Sequence, residues 1–373
     1  MRHPRPFIAM ATGILGGPGK GLVQFFRHGG LDGCAPLVID YHRGFETGET
    51  EFAAAVRSVG VPMAKLVQKT TFDIRLVDQA LPLLREYRIN ILQSHGYKSH
   101  VLCWLLRRKT GLPWIAFVHG WTRENLRVRV YNGIEQVMLL AADEVVAVSE
   151  SLRQRLLPSV RTRCVVIPNA LAPEELGECE DRSSIRSRLG FPDDAVVVGL
   201  VGRLSPEKGH SVFLRALAAA RAKDARLHAL LVGGGPDHDR LVREVGDLGL
   251  QGVCVFTGHV KGLASYYRAM DIQVMPSFTE GMPNVALEGM YMALPLIASR
   301  VGGIPEVVVD GETGFLLRSE DEEAFADVML ELAADSEKRQ MMGKSGKCRI
   351  EAEFSPAVRA ERFLQLYEDV LSQ

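Results

Sequence analysis

The amino-acid sequence predicts an α/β protein built from two similar domains, each with a parallel β-sheet. Short runs rich in β-branched residues alternate with amphipathic helical patterns along nearly the whole chain. Strands separated by helices are typical of parallel sheets covered by helices on both faces. The alternation stops at a polar, acidic stretch near the middle and then restarts. A length of 373 residues also suits two domains of ordinary size.

Six strands are predicted in each half of the chain. The candidates in the first half are PFIAMAT, APLVIDY, NILQSH, PWIAFVHG, EVVAVS and CVVIPN. The candidates in the second half are AVVVGLVGR, LHALLVGGGP, CVFTGHV, DIQVMPS, LPLIASR and GFLL. We assign residues 1–172 and 190–355 to the two domains and interpret 171–190 as a linker. A last helix begins at Pro356, because proline suits the first helical position.

The composition is that of a soluble globular protein, with 47% hydrophobic and 24% charged residues. No apolar run reaches the roughly 18 residues that cross a bilayer. The apolar stretch after Arg2 and Arg5 is too short for a signal-peptide core and is better interpreted as a first strand. The six cysteines form no C-x-x-C pair, which argues against zinc or a disulfide framework and favours the cytoplasm.

The net charge of −1 hides an asymmetry between the two halves. Residues 1–172 contain 22 Lys and Arg against 13 Asp and Glu, whereas the remainder contains 22 against 32. A basic first half suits an anionic partner such as a membrane surface, although ordinary surface charge accounts for it equally well. Nucleic acid is not expected as a partner, because the basic segments lack interleaved aromatic residues and any nucleic-acid motif.

The glycine-rich segment ATGILGGPGKGL, residues 11–22, suggests a loop that holds phosphate. It is not a P-loop, because Ile14 stands where the first glycine belongs and Gly21 where a hydroxyl should bind Mg²⁺. It also lacks the dinucleotide-binding fingerprint, whose last glycine is replaced by Leu22. What remains is a strand-to-helix turn whose backbone N–H groups could face an anion, or a plain tight turn.

Polar residues follow many of the predicted strands. In open parallel sheets, ligands bind outside the carboxyl ends of the strands. The residues at such positions are Gly16, Gly17, His95, His119, Ser149, Asn169, Arg203, Gly233 to Gly235 and the SFTEG turn. We therefore expect a substrate-binding cleft between the two domains.

The segment VGRLSPEKG places two cations after a strand, Arg203 and Lys208. Two cations beside a helix N-terminus can neutralise a diphosphate without a metal ion. The alternative is that either residue is an ordinary surface cation.

The segment PSFTEGMPNVALEGM carries two carboxylates eight residues apart, Glu280 in a turn and Glu288 on a helix. Carboxylates accept hydrogen bonds from paired hydroxyls, as on a sugar or ribose. We expect Gly281 and Pro283 to start the helix, leaving backbone N–H groups for ligand oxygens. Those amides belong to Met282, Asn284 and Val285. Equally, Glu280 could complement the helix dipole and Glu288 could occupy an exposed helix position.

These segments together resemble a known family. GRLSPEKG, PSFTEGMPNVALEGM, ALPLIASRVGGIPEVVVDGETGFLL, HGYKSH and FVHGW are similar to the retaining GT-B glycosyltransferases of family 4, over nearly the whole chain. The resemblance implies two Rossmann-like domains facing across a cleft, with the helix at about 356–373 crossing back to the N-terminal acceptor domain. It further implies transfer of a sugar from a UDP- or GDP-linked donor to a glycan or lipid-linked acceptor, in cell-surface polysaccharide or glycolipid synthesis.

The resemblance also implies roles for individual residues. Arg203 and Lys208 would hold the donor diphosphate, and His119 would lie at the reaction centre. Glu280 would hold the donor-sugar hydroxyls and Glu288 the ribose. The implied donor-binding set is Gly16, Gly17, Gly202, Gly233, Gly281, Met282, Pro283, Asn284 and Glu288. His95 and Lys20 are candidates on the acceptor side. No metal ion and no cofactor are expected, because the two cations would take that role.

Three features leave alternatives open. Asp237-His238-Asp239 has the form of a metal-binding D-x-D pattern, but its place at a helix start favours capping. Asn169 is followed by Ala170 rather than the family's usual glycine, which puts only the hinge turn in doubt. A nucleotide-sugar isomerase or epimerase would share the fold and the donor, and a protein that only binds an anionic ligand or nucleic acid ranks below both.

The basic residues of the first half suggest contact with an anionic membrane. Arg107, Arg108 and Lys109 end one helix, and Arg123, Arg127 and Arg129 follow the His119 loop. We expect weak peripheral attachment through this face, at about 1 kcal/mol per cation.

Overall fold

The computed structural model describes residues 3–13, 15–43, 48–70, 73–120 and 126–372. It divides into two compact units, Met1–Ala170 together with Pro356–Gln373, and Leu171–Ser355. Each unit is built on one parallel sheet flanked by helices. The α/β fold with two Rossmann-like domains is therefore confirmed.

The first unit has seven strands and the second has six. In chain order they are β1 (Pro6–Met10), β2 (Leu37–Arg43), β3 (Met63–Gln68), β4 (Ile91–His95), β5 (Trp114–Val118), β6 (Glu144–Ala147), β7 (Cys164–Val166), β8 (Val196–Val201), β9 (Leu227–Val232), β10 (Cys254–Phe256), β11 (Ile272–Met275), β12 (Leu296–Ser299) and β13 (Gly314–Leu317). All the predicted runs contain a strand. The prediction missed β3, an edge strand whose Lys65 and Gln68 interrupt the apolar run expected of a buried parallel strand.

The helices connect the strands in the expected alternation. The first eight are α1 (Gly17–Phe25), α2 (Leu31–Gly33), α3 (Glu51–Ser58), α4 (Arg75–Glu86), α5 (Tyr97–Thr110), α6 (Leu126–Leu139), α7 (Glu150–Gln154) and α8 (Pro158–Arg161). The others are α9 (Arg182–Arg188), α10 (His210–Arg221), α11 (His238–Asp247), α12 (Ala264–Ala269), α13 (Asn284–Tyr291), α14 (Ile304–Val307), α15 (Glu322–Ala334), α16 (Ser336–Glu353) and α17 (Pro356–Ser372). A π-helical turn spans Phe26–Gly30, and short 3₁₀ turns span Pro173–Leu176 and Pro206–Lys208.

The two sheets share one topology. Their strand orders are β3-β2-β1-β4-β5-β6-β7 and β10-β9-β8-β11-β12-β13, and every pairing is parallel. The chain direction across each sheet reverses between β1 and β4 and between β8 and β11. At such a switch point the loops leaving the two central strands diverge and open a crevice for a ligand. The loops after these four strands are therefore where functional residues belong.

The C-terminal helix α17 packs on the first unit. Its residues Phe363, Leu366, Tyr367 and Val370 join the buried core of that unit, where Phe363 stacks on Phe25 with ring centroids 5.0 Å apart. Burying each of these side chains contributes roughly 1.5–3 kcal/mol, which holds the helix against α1. The expected return of the last helix to the N-terminal domain is confirmed.

The segment 171–190, which its polar composition predicts to be a linker, contains regular structure. It begins the second unit and contains a 3₁₀ turn and helix α9. Arg182 and Arg186, one helical turn apart, both pair with Asp271 at the start of β11. These two ion pairs hold α9 against the start of β11.

Among the described residues, no helix is both long and apolar enough to cross a bilayer.

Candidate active site

The loop after β8 positions the two predicted cations of the second unit. Lys208 ends the 3₁₀ turn, and Gly209 follows it with a left-handed φ of +71°. A Cβ atom on Gly209 would lie 2.0 Å from the carbonyl oxygen of Pro276. Only glycine therefore lets this loop approach the loop after β11, and the close approach brings Lys208 to Glu280.

Lys208 and Glu280 form an ion pair in the described structure. Lys208 Nζ donates to Glu280 Oε1 at 2.7 Å, and the hydroxyl of Ser277 donates to the same oxygen at 2.7 Å. The Glu280 side chain is 8% exposed and that of Lys208 is 24% exposed. An ammonium group has three donors, so one pairing with Glu280 leaves capacity for phosphate oxygens.

Arg203 is exposed at the beginning of the same loop. Its neighbour Glu207 is partly buried, which would raise the pKa of that carboxyl. A hydrogen bond from Ser205 and the charges of Lys208 and Arg203 outweigh burial and lower the pKa. The loop after β8 thus carries two cations, Arg203 and Lys208, with the carboxylate of Glu207 between them.

The two predicted donor-binding glycines, Gly202 and Gly233, touch each other. Gly233 has a φ of +140°, and a Cβ atom there would lie 1.9 Å from the carbonyl oxygen of Gly202. Packing of the loop after β9 on the loop after β8 therefore accounts for glycine at 233. Direct contact of either glycine with a donor stays a prediction.

The turn after β12, which contains Gly302, packs against the loop that carries Glu280. Gly302 has a φ of +57°, and a Cβ atom there would lie 2.0 Å from the carbonyl oxygen of Glu280. Gly303 N donates to the carbonyl of Gly281 at 2.7 Å. Neither glycine was predicted as a site residue, although two adjacent glycines shortly after a strand at the ligand edge were a usable signal.

Helix α13 begins at Asn284, later than predicted. Pro283 is its N-cap residue in an extended conformation, so Gly281 and Met282 belong to the preceding turn. A proline ring fixes φ but supplies no N–H, which makes it a suitable last residue before the helix. The positive end of the helix dipole therefore lies at Asn284 and Val285.

Glu288 lies on α13 beside a buried tyrosine that the sequence did not reveal. The hydroxyl of Tyr267 donates to Glu288 Oε2 at 2.8 Å. Burial and the charge of Glu288 raise the pKa of Tyr267 well above its usual value, so this hydroxyl stays a donor. Gln273 on β11 donates its amide to the carbonyl of Val285 at 2.8 Å. These two contacts fix the rotation of α13 and therefore the direction of Glu288.

In the first unit the structure brings together His95, at the end of β4, and His119, just after β5. His95 Nδ1 and His119 Nε2 lie 2.8 Å apart, and the two rings are stacked 12° from parallel. Gln93 Nε2 lies 2.8 Å from His95 Nε2, and Tyr367 on α17 donates its hydroxyl to Gln93 Oε1. Burial lowers the pKa of His119 to about 3 and that of His95 well below its usual value, so both rings are neutral near pH 7.

This chain of contacts defines the tautomers. Because the oxygen of Gln93 accepts from Tyr367, its amide nitrogen donates to His95 Nε2. A neutral imidazole carries one proton, so the proton of His95 is on Nδ1 and is donated to His119 Nε2. His119 then carries its own proton on Nδ1.

The first turn of α1 is exposed. Gly16 is the N-cap residue with an ordinary φ of −78°, and a Cβ atom there would meet nothing within 4 Å. Neither strain nor packing within the unit therefore requires glycine at this position. Gly17 and Lys20 are also exposed, and no side chain caps the helix. Ile14, in the same loop, lies outside the described residues.

Asp237 does not cap α11 as predicted. It occupies the N-cap position, but its carboxylate accepts a hydrogen bond from Arg240 at 2.7 Å instead of one from the helix backbone. An ion pair one turn away outcompetes the cap. Within the described part of the chain no cluster of three or more His, Cys, Asp or Glu could hold a metal ion. Catalysis without metal stays a prediction.

The basic residues at the end of α5, predicted to face an anionic membrane, have partners within the protein. Arg107 forms a two-point ion pair with Asp143, with Nε 2.8 Å from Oδ2. Arg108 packs over the ring of Trp104 at 5.2 Å, and Lys109 lies 3.3 Å from Asp78. Arg123 and the side chains of Arg127 and Arg129 lie outside the described residues.

Comparison with known proteins defines the class of this molecule. Residues 181–349 match the family model "Glycosyl transferases group 1", and residues 15–175 match "Glycosyltransferase Family 4". A relative from Stackebrandtia nassauensis is 30% identical over 309 residues, covering 76% of this chain and 69% of the relative. One from Corynebacterium glutamicum is 32% identical, covering 76% and 73%. Both are named D-inositol 3-phosphate glycosyltransferase.

The chain belongs to glycosyltransferase family 4. Solved structures agree on the fold: HepE of Anabaena in complex with UDP superposes with a TM-score of 0.84 at 19% identity, covering 98% of this chain and 100% of that one. Sucrose-phosphate synthase from Thermosynechococcus elongatus gives 0.80 at 22% identity and 99% coverage of both chains. The resemblance stated from the sequence is confirmed for the family and for the GT-B fold.

Proposed function

We propose that this protein is a retaining glycosyltransferase that transfers a sugar from a nucleotide-diphosphate donor to an acceptor that carries phosphate. The observation that carries the proposal is the ion pair of Lys208 and Glu280 at the switch point of the second sheet. It joins a cation suited to the donor diphosphate to a carboxylate suited to the sugar hydroxyls, and family membership supplies the reaction class.

When the donor binds, Lys208 and Glu280 each exchange the other for a group of the donor. Phosphate oxygens accept from Lys208 and from the exposed Arg203, while sugar hydroxyls donate to Glu280. Charge developing on the leaving diphosphate is then stabilised by groups already in place. Glu288, held by Tyr267, accepts the ribose hydroxyls. The structure of Anabaena HepE is a complex with UDP, which supports a uridine donor over a guanosine one.

His119 donates its Nδ1 proton to an oxygen at the reaction centre. The acceptor oxygen forms a bond to the anomeric carbon as the bond from that carbon to the diphosphate breaks. The acceptor proton passes to the departing phosphate oxygen. In a retaining reaction the new bond forms on the face that the diphosphate leaves.

The proposed acceptor is a phosphorylated polyol or a lipid-linked phosphate. Both relatives are named for a phosphorylated inositol, and residues 1–172 carry an excess of basic side chains. In polysaccharide or glycolipid synthesis, a lipid-linked phosphate or an acidic glycan would carry the same negative charge. We place the reaction in the cytoplasm, which the unpaired state of all six cysteines supports.

The test is a transfer assay with UDP- and GDP-sugars and a set of phosphorylated and neutral acceptors, followed by NMR of the anomeric proton in the product. We expect transfer that is retained in EDTA and gives a product with the anomeric configuration of the donor. Inversion would disprove the retaining mechanism. Conversion of a nucleotide sugar without any acceptor would favour the isomerase instead.

A further inference from the structure

Arg359 on α17 is a buried cation whose charge has no partner among the described residues. It is 7% exposed, and its Nε is fully buried without a hydrogen-bond acceptor. Across the described ranges no carboxylate or carbonyl accepts from its guanidinium. Its contact is with an aromatic ring, that of Phe363, at 5.2 Å. Burial lowers the pKa of Arg359 to about 10, so the side chain remains charged at neutral pH.

The guanidinium of Arg359 occupies the space that a side chain at Gly21 on α1 would need. A Cβ atom on Gly21 would lie 2.3 Å from Arg359 Nη1 and 3.1 Å from Cζ. Any residue larger than glycine would displace the guanidinium. Burying an unpaired charge is expensive, and buried arginines normally face a carboxylate or phosphate. Packing alone therefore does not account for a buried arginine at position 359 beside a glycine at position 21.

Arg359 lies at the ligand edge of the first sheet, close to His119. Phe363, beneath the guanidinium, stacks on Phe117 with centroids 5.1 Å apart, and Phe117 in turn stacks on His95 at 4.6 Å. The charge of Arg359 contributes, after burial, to the low pKa of His119. Gly16 and Gly17, the exposed start of α1, lie about one helical turn before Gly21.

We propose that Arg359 binds the phosphate group of the acceptor. The proposal rests on the function proposed above. A guanidinium offers phosphate two parallel hydrogen bonds, and the low exposure of Arg359 strengthens them. The bound phosphate supplies the counter-charge that Arg359 lacks. Arg359 thereby selects acceptors that carry an anionic group within reach of the reacting hydroxyl.

The first experiment measures thermal unfolding of the full chain in rising inorganic phosphate at constant ionic strength. It uses a Lys208→Ala background, so that phosphate at the donor site contributes little. We expect phosphate to raise Tm in this background and Arg359→Met to weaken the apparent affinity roughly tenfold to a hundredfold. Arg362→Met, an exposed arginine on the same helix, is the matched control and should leave the response unchanged.

The same experiment separates binding from a structural role. Without phosphate, Arg359→Met removes an uncompensated charge while keeping the apolar stem, so its Tm should equal or exceed that of the parent. A lower Tm with an unchanged phosphate response would overturn the proposal. Arg359→Lys keeps the charge but loses the two parallel hydrogen-bond donors of the guanidinium. We expect this variant to fold and to retain part of the phosphate response. An unchanged response in both variants would also overturn the proposal.

Enzyme kinetics distinguish failure of this inference from failure of the proposed function. With a phosphorylated acceptor, Arg359→Met should raise the acceptor KM and leave UDP binding unchanged, which excludes the donor β-phosphate as the ligand. Sugar transfer by the wild type together with an unaltered acceptor KM in Arg359→Met would refute the inference alone. Absence of transfer by the wild type, with a phosphate response that depends on Arg359, would refute the proposed function alone.

Discussion

At the scale of single residues, Lys208 is expected to exchange one partner for another when the donor binds. In the structure it neutralises Glu280, whose side chain is nearly buried. We expect the same ammonium group to meet the donor diphosphate. Loss of Lys208 therefore affects the free protein and the transition state by different routes.

We predict that Lys208→Ala lowers kcat/KM by an amount equivalent to about 3 kcal/mol, the scale of removing one preorganised electrostatic donor. Stability should fall as well, because Glu280 is left partly buried without its cation. Steady-state kinetics and thermal unfolding measure the two effects. The exposed Lys223→Ala variant is the control and should change neither. A near wild-type kcat in Lys208→Ala would mean that the diphosphate binds elsewhere.

Glu280 and Glu288 should differ in which kinetic constant they control. Ribose contacts are made equally in the ground and transition states, so Glu288→Gln should weaken nucleotide binding with little change in kcat. The glutamine oxygen still accepts from Tyr267, which preserves the position of α13. Glu280→Gln should mainly lower kcat, because Glu280 positions the reacting sugar. Calorimetric titration with UDP and initial-rate kinetics decide between these roles, and the opposite pattern would exchange them.

At the scale of secondary-structure elements, α17 reaches the histidine pair of the first sheet through one hydroxyl group. Tyr367 orients the amide of Gln93, and that amide fixes the tautomer of His95 and through it that of His119. The C-terminal helix thus orients the His95–His119 pair as well as completing the core.

We predict that Tyr367→Phe lowers kcat while leaving UDP binding intact, because Gln93 is no longer held with its nitrogen towards His95. A merely structural role would not change a tautomer, so the decisive readout is the ¹⁵N spectrum of the His119 ring. That spectrum should lose the pure Nδ1–H form in the variant. Tyr87→Phe, at the end of α4, is the control. An unchanged His119 spectrum with lowered kcat would refute the relay.

Local patterns predicted the elements well, but contacts between elements could not be read from the sequence. Apolar runs located every strand except β3, and Arg203, His95 and His119 lie at or just after the ends of β8, β4 and β5, as predicted. The contact of Tyr367 with Gln93 joins residues 274 positions apart, and no periodicity encodes such a pairing. Helix α9 was missed for a related reason, since its arginines are paired with the distant Asp271.

At the scale of the whole molecule, buried neutral histidines make stability depend on pH. His210, at the start of α10, is 2% exposed, and burial lowers its pKa to about 4. The pKa of His95 is likewise lowered by burial. Below pH about 6.5 the unfolded chain binds a proton on each of these histidines while the folded protein does not.

We therefore predict that the free energy of unfolding falls as pH decreases from about 6.5 towards about 4, by about 1.4 kcal/mol per pH unit for each such histidine. Urea unfolding at a series of pH values measures the slope. His210→Leu should reduce it by the share of one histidine, and His259→Leu at an exposed site should not. A stability that is independent of pH over this window would contradict the assignment.

We expect the whole protein to associate with anionic membranes. Residues 1–172 have an excess of nine basic over acidic side chains, which favours weak, salt-sensitive binding. Arg107 is already neutralised by Asp143, whereas Arg108 is exposed and packs on an indole ring. Arg108→Gln should therefore weaken binding by about 1 kcal/mol, roughly fivefold, while Arg107→Gln should have a smaller effect on binding. Co-sedimentation with anionic and neutral vesicles at two salt concentrations measures this difference. Equal binding to both kinds of vesicle would exclude an electrostatic membrane contact and favour an acceptor free in solution.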